Sequence, residues 1–357
     1  MNSGPSINTR ARFEQWAKNP ECEANTVSAV LNVRMGQVAA SLGLEDKKGI
    51  SPFAVTRGYL FERSLFEDDA QLLRSQLERK KVLPADSSGL LDLRLKSNFG
   101  TDVSTMDEAL EKSVQFLEGA SQARTLPSLV TGLTLRLPQG VMLPEATLVM
   151  DVMSVSRKQG KVHVKVGEIK VFPDRGGYTD PDHLSTARAQ AGVYLYALES
   201  WLEARSMSEQ FELNSKGFLV FTWPGSAQPV VRANEDLSEQ RERARRGFSS
   251  LDSVAQRVVG VRIGEFNPDE YEAWVKHSST AYAEKCWGFC DLAPRCQKLA
   301  LSQDKGIVLG DQVARGLGGI PLTRAVALLN GDTPMDSTEE SLATQLRAAD
   351  WESNVNP

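Results

Sequence analysis

Residues 161–172 alternate: Lys161, His163 and Lys165 face one way and Val162, Val164 and Val166 the other, and the pattern carries Glu168 and Lys170 onto the valine side. Successive side chains of a strand point to opposite faces, so the acid and the amine share the face that should be core. Burying a carboxylate and an ammonium is costly unless they pair or bind something. The mostly apolar run Thr147–Val155 comes before, and Arg157-Lys158-Gln159-Gly160 reads as a hairpin connection that brings Asp151 beside Glu168. Two carboxylates and a lysine on a strand pair suit a metal nuclease. They hold Mg²⁺ or Mn²⁺ through oxygen, and the lysine orients a water or offsets phosphate charge. A bare Glu-x-Lys says little, since it recurs at Glu45-Asp46-Lys47 and Glu78-Arg79-Lys80, in polar or helical surroundings with no acid on a preceding strand. Taken alone, Glu168 and Lys170 read equally well as an ion pair at a strand end.

The four cysteines form the second constellation. Cys286, Cys290 and Cys296 fall within eleven residues, and Cys22 stands 264 positions before Cys286. Four unrelated buried thiols is one reading, because free cysteine packs well. Structural zinc is another, but zinc usually takes cysteines in close pairs, which a one-plus-three arrangement does not supply. Four thiolates holding a [4Fe–4S] cluster fit the pattern and leave no cysteine over.

Other candidates carry less. Gln190 and Tyr194 sit i, i+4 on one helical face, which by itself reads as a packed tyrosine beside an incidental glutamine. Glu62, in Arg57-Gly58-Tyr59-Leu60-Phe61-Glu62-Arg63, places an acid in an aromatic-rich helix that also reads as a surface helix. Arg241, Arg243, Arg245 and Arg246, interleaved with Glu239 and Glu242, read as a solvated face more readily than as a phosphate-binding run. His163, His183 and His277 are scattered, and His163 falls on the strand face opposite Glu168.

The elements that must position these groups follow from periodicity. Residues 10–45 read as helical with a break at Asn19-Pro20-Glu21-Cys22, and 53–82 again as helix. Residues 85–130 read as a helical insertion with a helix over Met106–Gly119. Strands are expected at Leu133–Leu137, ended by Pro138, then at Thr147–Val155, Lys161–Phe172 and Lys216–Trp223. Asp180 as N-cap, Pro181 and Asp182 open a helix reaching about Ala204, and Glu235–Val259 is helical and charged. The tail is Gly-rich at 316–319 and then helical, with Ser337 and Glu340 as a capping box. This order predicts an α/β (α+β) fold with a mixed central sheet flanked by helices. It divides into an N-terminal helical segment (1–50), a core (51–260), a cysteine clasp (261–303) and a helical tail (304–357).

At this point a family is recognisable. The order Gly58…Glu62, Asp151, Glu168-Ile169-Lys170, Gln190-x-x-x-Tyr194 resembles the RecB-like branch of the PD-(D/E)XK nucleases over about residues 10 to 300. Cys22 before the first motif, the trio after the last, and the lead-in RFEQWAKNPEC resemble its iron–sulfur subgroup, which includes the AddB nuclease domain and a CRISPR-associated exonuclease family. The resemblance implies a restriction-endonuclease-like core whose helical end segments are joined by the cluster. Asp151 and Glu168 would be metal ligands with the backbone carbonyl of Ile169, and Lys170 the catalytic lysine. Gln190 and Tyr194 would shape the site and touch DNA. The branch often has histidine in its first motif; here Glu62 stands there as a metal ligand, a departure that bears on metal preference.

The bulk numbers are compatible with this. A net charge of −5 argues against a coat of positive charge for non-specific nucleic-acid binding, though not against a local basic groove. MNSGPSINTRARFEQW has no apolar secretory core, and no stretch reaches the roughly 20 apolar residues of a membrane span, so a cytoplasmic protein without membrane association is expected. Walker A, G-x-G-x-x-G and G-x-S-x-G motifs are missing, so unwinding would need a helicase or ATPase partner, in DNA repair or phage defence. The expected function is metal-dependent DNA hydrolysis, exonuclease-like or on single strands. The alternatives are a non-catalytic iron–sulfur DNA-binding or scaffold subunit and a zinc-stapled binding protein.

Overall fold

The computed structural model describes residues 16, 19, 22–31, 35–44, 52–85, 87, 89–136, 147–257, 280–283, 286 and 290–355; Pro138, Val259 and His277 lie outside the described residues. The helices are α1 (Glu23–Leu31), α2 (Met35–Ser41), α3 (Pro52–Leu65), α4 (Glu67–Arg79), α5 (Lys96–Phe99), α6 (Met106–Ala120), α7 (Pro181–Ala204), α8 (Ser238–Arg257), α9 (Ala293–Gln303), α10 (Asp311–Gly316), α11 (Leu322–Leu329) and α12 (Ser337–Val355). The strands are β1 (Leu90–Asp92), β2 (Leu129–Arg136), β3 (Thr147–Lys158), β4 (Lys161–Pro173), β5 (Phe211–Leu213), β6 (Lys216–Thr222) and β7 (Pro229–Asp236). Two compact units result, one of residues 8–11 and 48–261, the other of 1–7, 12–47 and 262–357.

The larger unit is a mixed α/β layer structure. Its seven-stranded sheet runs β1-β2-β3-β4-β6-β7, with β5 also paired to β4. The β2–β3, β3–β4 and β6–β7 pairs are antiparallel, and β1–β2, β4–β5 and β4–β6 are parallel. The expected β3–β4 hairpin closes with Lys158 opposite Lys161, and Gln159 and Gly160 both take positive φ, as a two-residue turn matched to strand twist requires. One sheet face is covered by α3 and α4, whose Phe61, Leu65, Leu73 and Leu77 pack with Leu129, Val152, Ile169, Phe218 and Val220. α7 packs on the sheet too, and its Ala187, Ala191, Tyr194, Leu195 and Leu198 are buried. Its outer side is covered in turn by α8, so close at Gly192 that a Cβ there would sit 2.4 Å from Gln240. The Asp180 side chain caps α7 by accepting from the N–H groups of Asp182 (2.9 Å) and His183 (3.2 Å).

Four sequence expectations change. Residues 53–82 form two helices, separated at Phe66, with Asp68, Asp69 and Ala70 in the left-handed region; aspartate tolerates that conformation better than most residues. The 85–130 insertion is not only helical, because Leu90–Asp92 forms β1 against β2, a strand too short to show periodicity. Glu235 belongs to β7, which the sequence reading missed. Arg232 and Glu235 pair there across 2.9 Å, and such charges mask an edge strand's alternation. In the tail Asp336, not Ser337, caps α12, its carboxylate accepting from Thr338 and Glu339 N–H, each at 2.9 Å.

Gly132 of β2 falls between the pairs Thr131–Val152 and Leu133–Met150, hence across from Asp151. Its φ is +72°, and a Cβ there would lie 2.5 Å from Arg94 N and 2.7 Å from Leu93 C. Backbone cannot yield as a flexible side chain can. Gly132→Ala is therefore expected to destabilise this unit by at least about 2 kcal/mol, read as a melting temperature lower by roughly 5 °C. A variant melting with the parent would show that the β1 end is not held against β2.

The smaller unit joins α1 and α2 to α9–α12. α9 and the helical tail share a core of Ala300, Leu317, Leu322, Ala325, Leu328, Leu342 and Ala343. There Arg324 grips Glu339 at 2.6 Å and Asp332 at 3.3 Å. Among the described residues no helix is long and apolar enough to cross a membrane.

Candidate active site and cysteine site

Val162, Val164, Val166 and Glu168 are all buried, so the alternation of β4 does carry the carboxylate into the core face, and Glu168 is 0% exposed. Lys170 Nζ lies 2.8 Å from Glu168 Oε1, as two residues on one strand face permit. The β3–β4 register pairs Val152 with Gly167, which sets Asp151 and Glu168 opposite each other one step further on. Asp151 is 6% exposed. Its Oδ2 accepts the Ile169 N–H at 2.9 Å and its Oδ1 the Tyr194 hydroxyl at 3.2 Å, while its own carbonyl accepts the Thr131 hydroxyl at 2.6 Å. The N–H and carbonyl of one strand residue point to the same side, so the Ile169 carbonyl is turned toward Asp151 as well. Gln190 lies one turn before Tyr194 on α7 and is buried.

Glu62 comes from α3, and it lines with Asp151 a cavity of about 190 Å³ whose walls include Tyr59, Arg94, Asn98 and Gly132. Glu168 and Lys170 do not line that cavity; they reach Asp151 through the strand register. Among the described residues, no three His, Cys, Asp or Glu gather closely enough to hold one ion. The donor set is nevertheless of the kind hard divalent cations take, namely carboxylate oxygens and a backbone carbonyl.

Two residues of this neighbourhood escaped the sequence reading. Asp92 and Arg94 stand at the end of β1, with Arg94 Nε and Nη2 donating to the two Asp92 oxygens at 2.9 and 2.6 Å. Arg94 Nη1 also lies 3.8 Å from Glu62 Oε1. An Asp-x-Arg that runs off the end of a three-residue strand has no periodic signal; only the closeness of Gly132 on the folded sheet brings it here.

Five of the remaining basic and histidine candidates have partners away from this site. Arg241 and Arg245 pair with both Glu199 and Glu242, and Arg243 with Glu239, an ion-pair network on a helix surface. His163 lies 3.4 Å from Glu212, and His183 stacks on Phe172 with ring centroids 4.1 Å apart.

In the smaller unit, Cys22, Cys286, Cys290 and Cys296 line one pocket with Asn19, Asn25, Met35, Tyr282 and Leu292. Residues from both ends of the chain thus converge there. Asn19 ties them together, as its Nδ2 donates to the Ala281 carbonyl at 2.6 Å and contacts Cys286 Sγ at 3.2 Å. The Ala283 N–H also donates to Cys286 Sγ, at 3.3 Å. Burial, with a smaller contribution from the neighbouring cysteines, pushes Cys290 up to about 12 and Cys296 to about 11, so both stay protonated near neutral pH. Binding a metal centre would release those protons. Four thiols lining one pocket are soft donors of the kind that zinc and iron–sulfur clusters both take. Free space in the pocket is about 20 Å³, scarcely more than one water requires, so the lining side chains would have to part to admit a cluster.

No protein-family model matches this chain, and no curated protein does. A solved structure described as "Crystal structure of SSO0001" is similar over 64% of this chain and 94% of its own length, at 15% identity and a TM-score of 0.22.

Proposed function

We propose that this protein is a phosphodiester hydrolase acting on DNA with Mg²⁺ or Mn²⁺, and that its four cysteines hold a [4Fe–4S] cluster that braces the smaller unit. The observation that carries the first part is the buried pair of strand carboxylates, Asp151 and Glu168, with Lys170 2.8 Å from Glu168 and the Tyr194 hydroxyl 3.2 Å from Asp151. A fold does not gain stability from sinking such groups into an apolar face, because well-packed hydrophobic residues are as good or better. Retaining them makes sense if they bind something.

Asp151, Glu168 and Glu62, with the Ile169 carbonyl, would hold the divalent cation, which supplies Lewis acidity at the phosphate and acidifies a water. In the reaction, water oxygen bonds to phosphorus, the bond to the leaving sugar oxygen breaks, and the water proton passes to solvent or to that oxygen. Lys170 offsets the charge that grows on the phosphoryl oxygens and orients the water. Tyr194 holds the Asp151 carboxylate in place, and Gln190 shapes the wall beside it. The chain is proposed to work in the cytoplasm, on single strands or ends, with a helicase or ATPase partner for unwinding.

The decisive experiment incubates purified protein with labelled single-stranded and double-stranded DNA and RNA, with Mg²⁺, Mn²⁺ or EDTA. Cleavage that EDTA stops is expected; binding without cleavage under every metal condition would make the protein a non-catalytic subunit. Glu62→Ala is expected to lower activity about tenfold at limiting Mg²⁺, with part restored by Mn²⁺, which binds a given oxygen site more tightly. Unchanged activity at limiting Mg²⁺ would return Glu62 to the role of a surface acid.

A further inference from the structure

Arg94 is more constrained than packing alone demands. It is 5% exposed, and its guanidinium carbon lies 4.3 Å from the ring centroid of Phe66 and 4.4 Å from that of Phe99. Asp92 holds two of its nitrogens in the bidentate geometry that matches a guanidinium to a carboxylate. The remaining nitrogen, Nη1, faces Glu62: it donates to the Glu62 carbonyl at 3.3 Å and lies 3.8 Å from Oε1. Thr101 Oγ1 hydrogen-bonds to the Arg94 carbonyl, and Gly132 leaves room for the Arg94 backbone to pass against β2. Backbone, fork and rings therefore fix the guanidinium before it meets Glu62, so little further rotamer freedom is lost in making that contact.

We infer that Arg94 is a positioning residue, which holds the Glu62 carboxylate at the wall of the cavity it shares with Asp151. The inference rests on reading Glu62 as a cation ligand. A guanidinium keeps its charge throughout, so it also repels a divalent ion. The net sign depends on whether orienting Glu62 outweighs that repulsion, and the fixed geometry argues that it does. Arg94→Lys separates the two effects, since lysine keeps the charge and loses the fork.

The test measures Mn²⁺ affinity of DNA-free protein from the electron paramagnetic resonance signal of free Mn²⁺. The proteins compared are the parent, Glu62→Ala, Arg94→Lys, Asp92→Asn and Glu62→Ala/Arg94→Lys. Asp92→Asn loosens Arg94 without touching Glu62, and it covers the case in which Arg94→Lys fails to fold. Losing a group that orients a ligand typically weakens metal binding about 10–100-fold. Glu62→Ala, Arg94→Lys and Asp92→Asn are each expected to weaken Mn²⁺ binding about tenfold, and the double variant to bind no more weakly than Glu62→Ala alone. That non-additivity is the signature of action through Glu62, which a purely structural arginine would not give. If Glu62→Ala weakens binding while Arg94→Lys and Asp92→Asn do not, or while they tighten it, the positioning role is wrong and the Glu62 reading stands. Additive losses in the double variant would also overturn it. If Glu62→Ala itself binds Mn²⁺ like the parent, Glu62 is no ligand and both readings fall together.

Discussion

Replacing Lys170 by alanine is expected to slow DNA cleavage by about 10²–10³-fold or more, the usual loss when a charge-stabilising group of the transition state is removed. The substitution has a second consequence that must be separated from the first. Glu168 is 0% exposed and lies 2.8 Å from the Lys170 ammonium. Deleting one member of a buried ion pair commonly costs about 3–5 kcal/mol, because the other charge loses its compensation. The useful comparison is therefore with Glu168→Gln/Lys170→Met, which removes both charges at nearly constant volume. This double variant should melt close to the parent and still fail to cleave. Circular dichroism melting and cleavage of labelled DNA, run on the same preparations, read the two effects. A folded Lys170→Ala protein that cuts at the parent rate would mean that the catalytic centre lies elsewhere. Asp151→Asn should be equally inactive, since it removes the charge that accepts the Ile169 N–H and the Tyr194 hydroxyl and that, on the proposed function, would bind the metal.

Cys22→Ser should have the largest structural effect. Cys22 shares its pocket with Cys286, Cys290 and Cys296, and it comes from the far end of the chain. A centre bound by all four closes a loop of 264 residues. In the analogous disulfide model a constraint of that length is worth about 5–6 kcal/mol, comparable to the stability of a marginal domain. Protein purified without oxygen should be brown and contain about four irons per chain, as one [4Fe–4S] cluster would supply. The serine variant should lose colour and iron and become protease-sensitive in residues 12–47 and 262–357. Asn19 should leave a residual tie, through Ala281 and Cys286, so the variant is expected to loosen rather than separate completely. Elemental analysis that finds zinc in place of iron would exclude the cluster. A colourless variant melting with the parent would exclude the clasp.

Local patterns were the most legible part of the molecule. The β3–β4 hairpin, the placement of Glu168 and Lys170 on its buried face, and the start of α7 at Asp180 all depend on short-range rules of alternation and capping. The gathering of the cysteines could be anticipated as well, because four identical soft donors with nothing left over leave few alternatives. Elements with weak periodicity were harder. β1 has three residues, and β7 carries charges that pair along its own edge, so neither stands out from a loop.

The sequence by itself determined which groups have chemistry to offer and which face of β4 carries them, because side-chain alternation is a property of the strand alone. What only the tertiary structure decided is how residues from separate elements meet. Glu62 shares a cavity with Asp151 because α3 packs on the sheet near β4. Arg94 reaches Glu62 because Gly132, with positive φ and no Cβ, lets the chain after β1 lie against β2. Tyr194 meets Asp151 across the interface between α7 and the sheet. Contacts of this kind depend on register, on close approach and on the absence of a single carbon atom, none of which leaves a periodic trace along the chain.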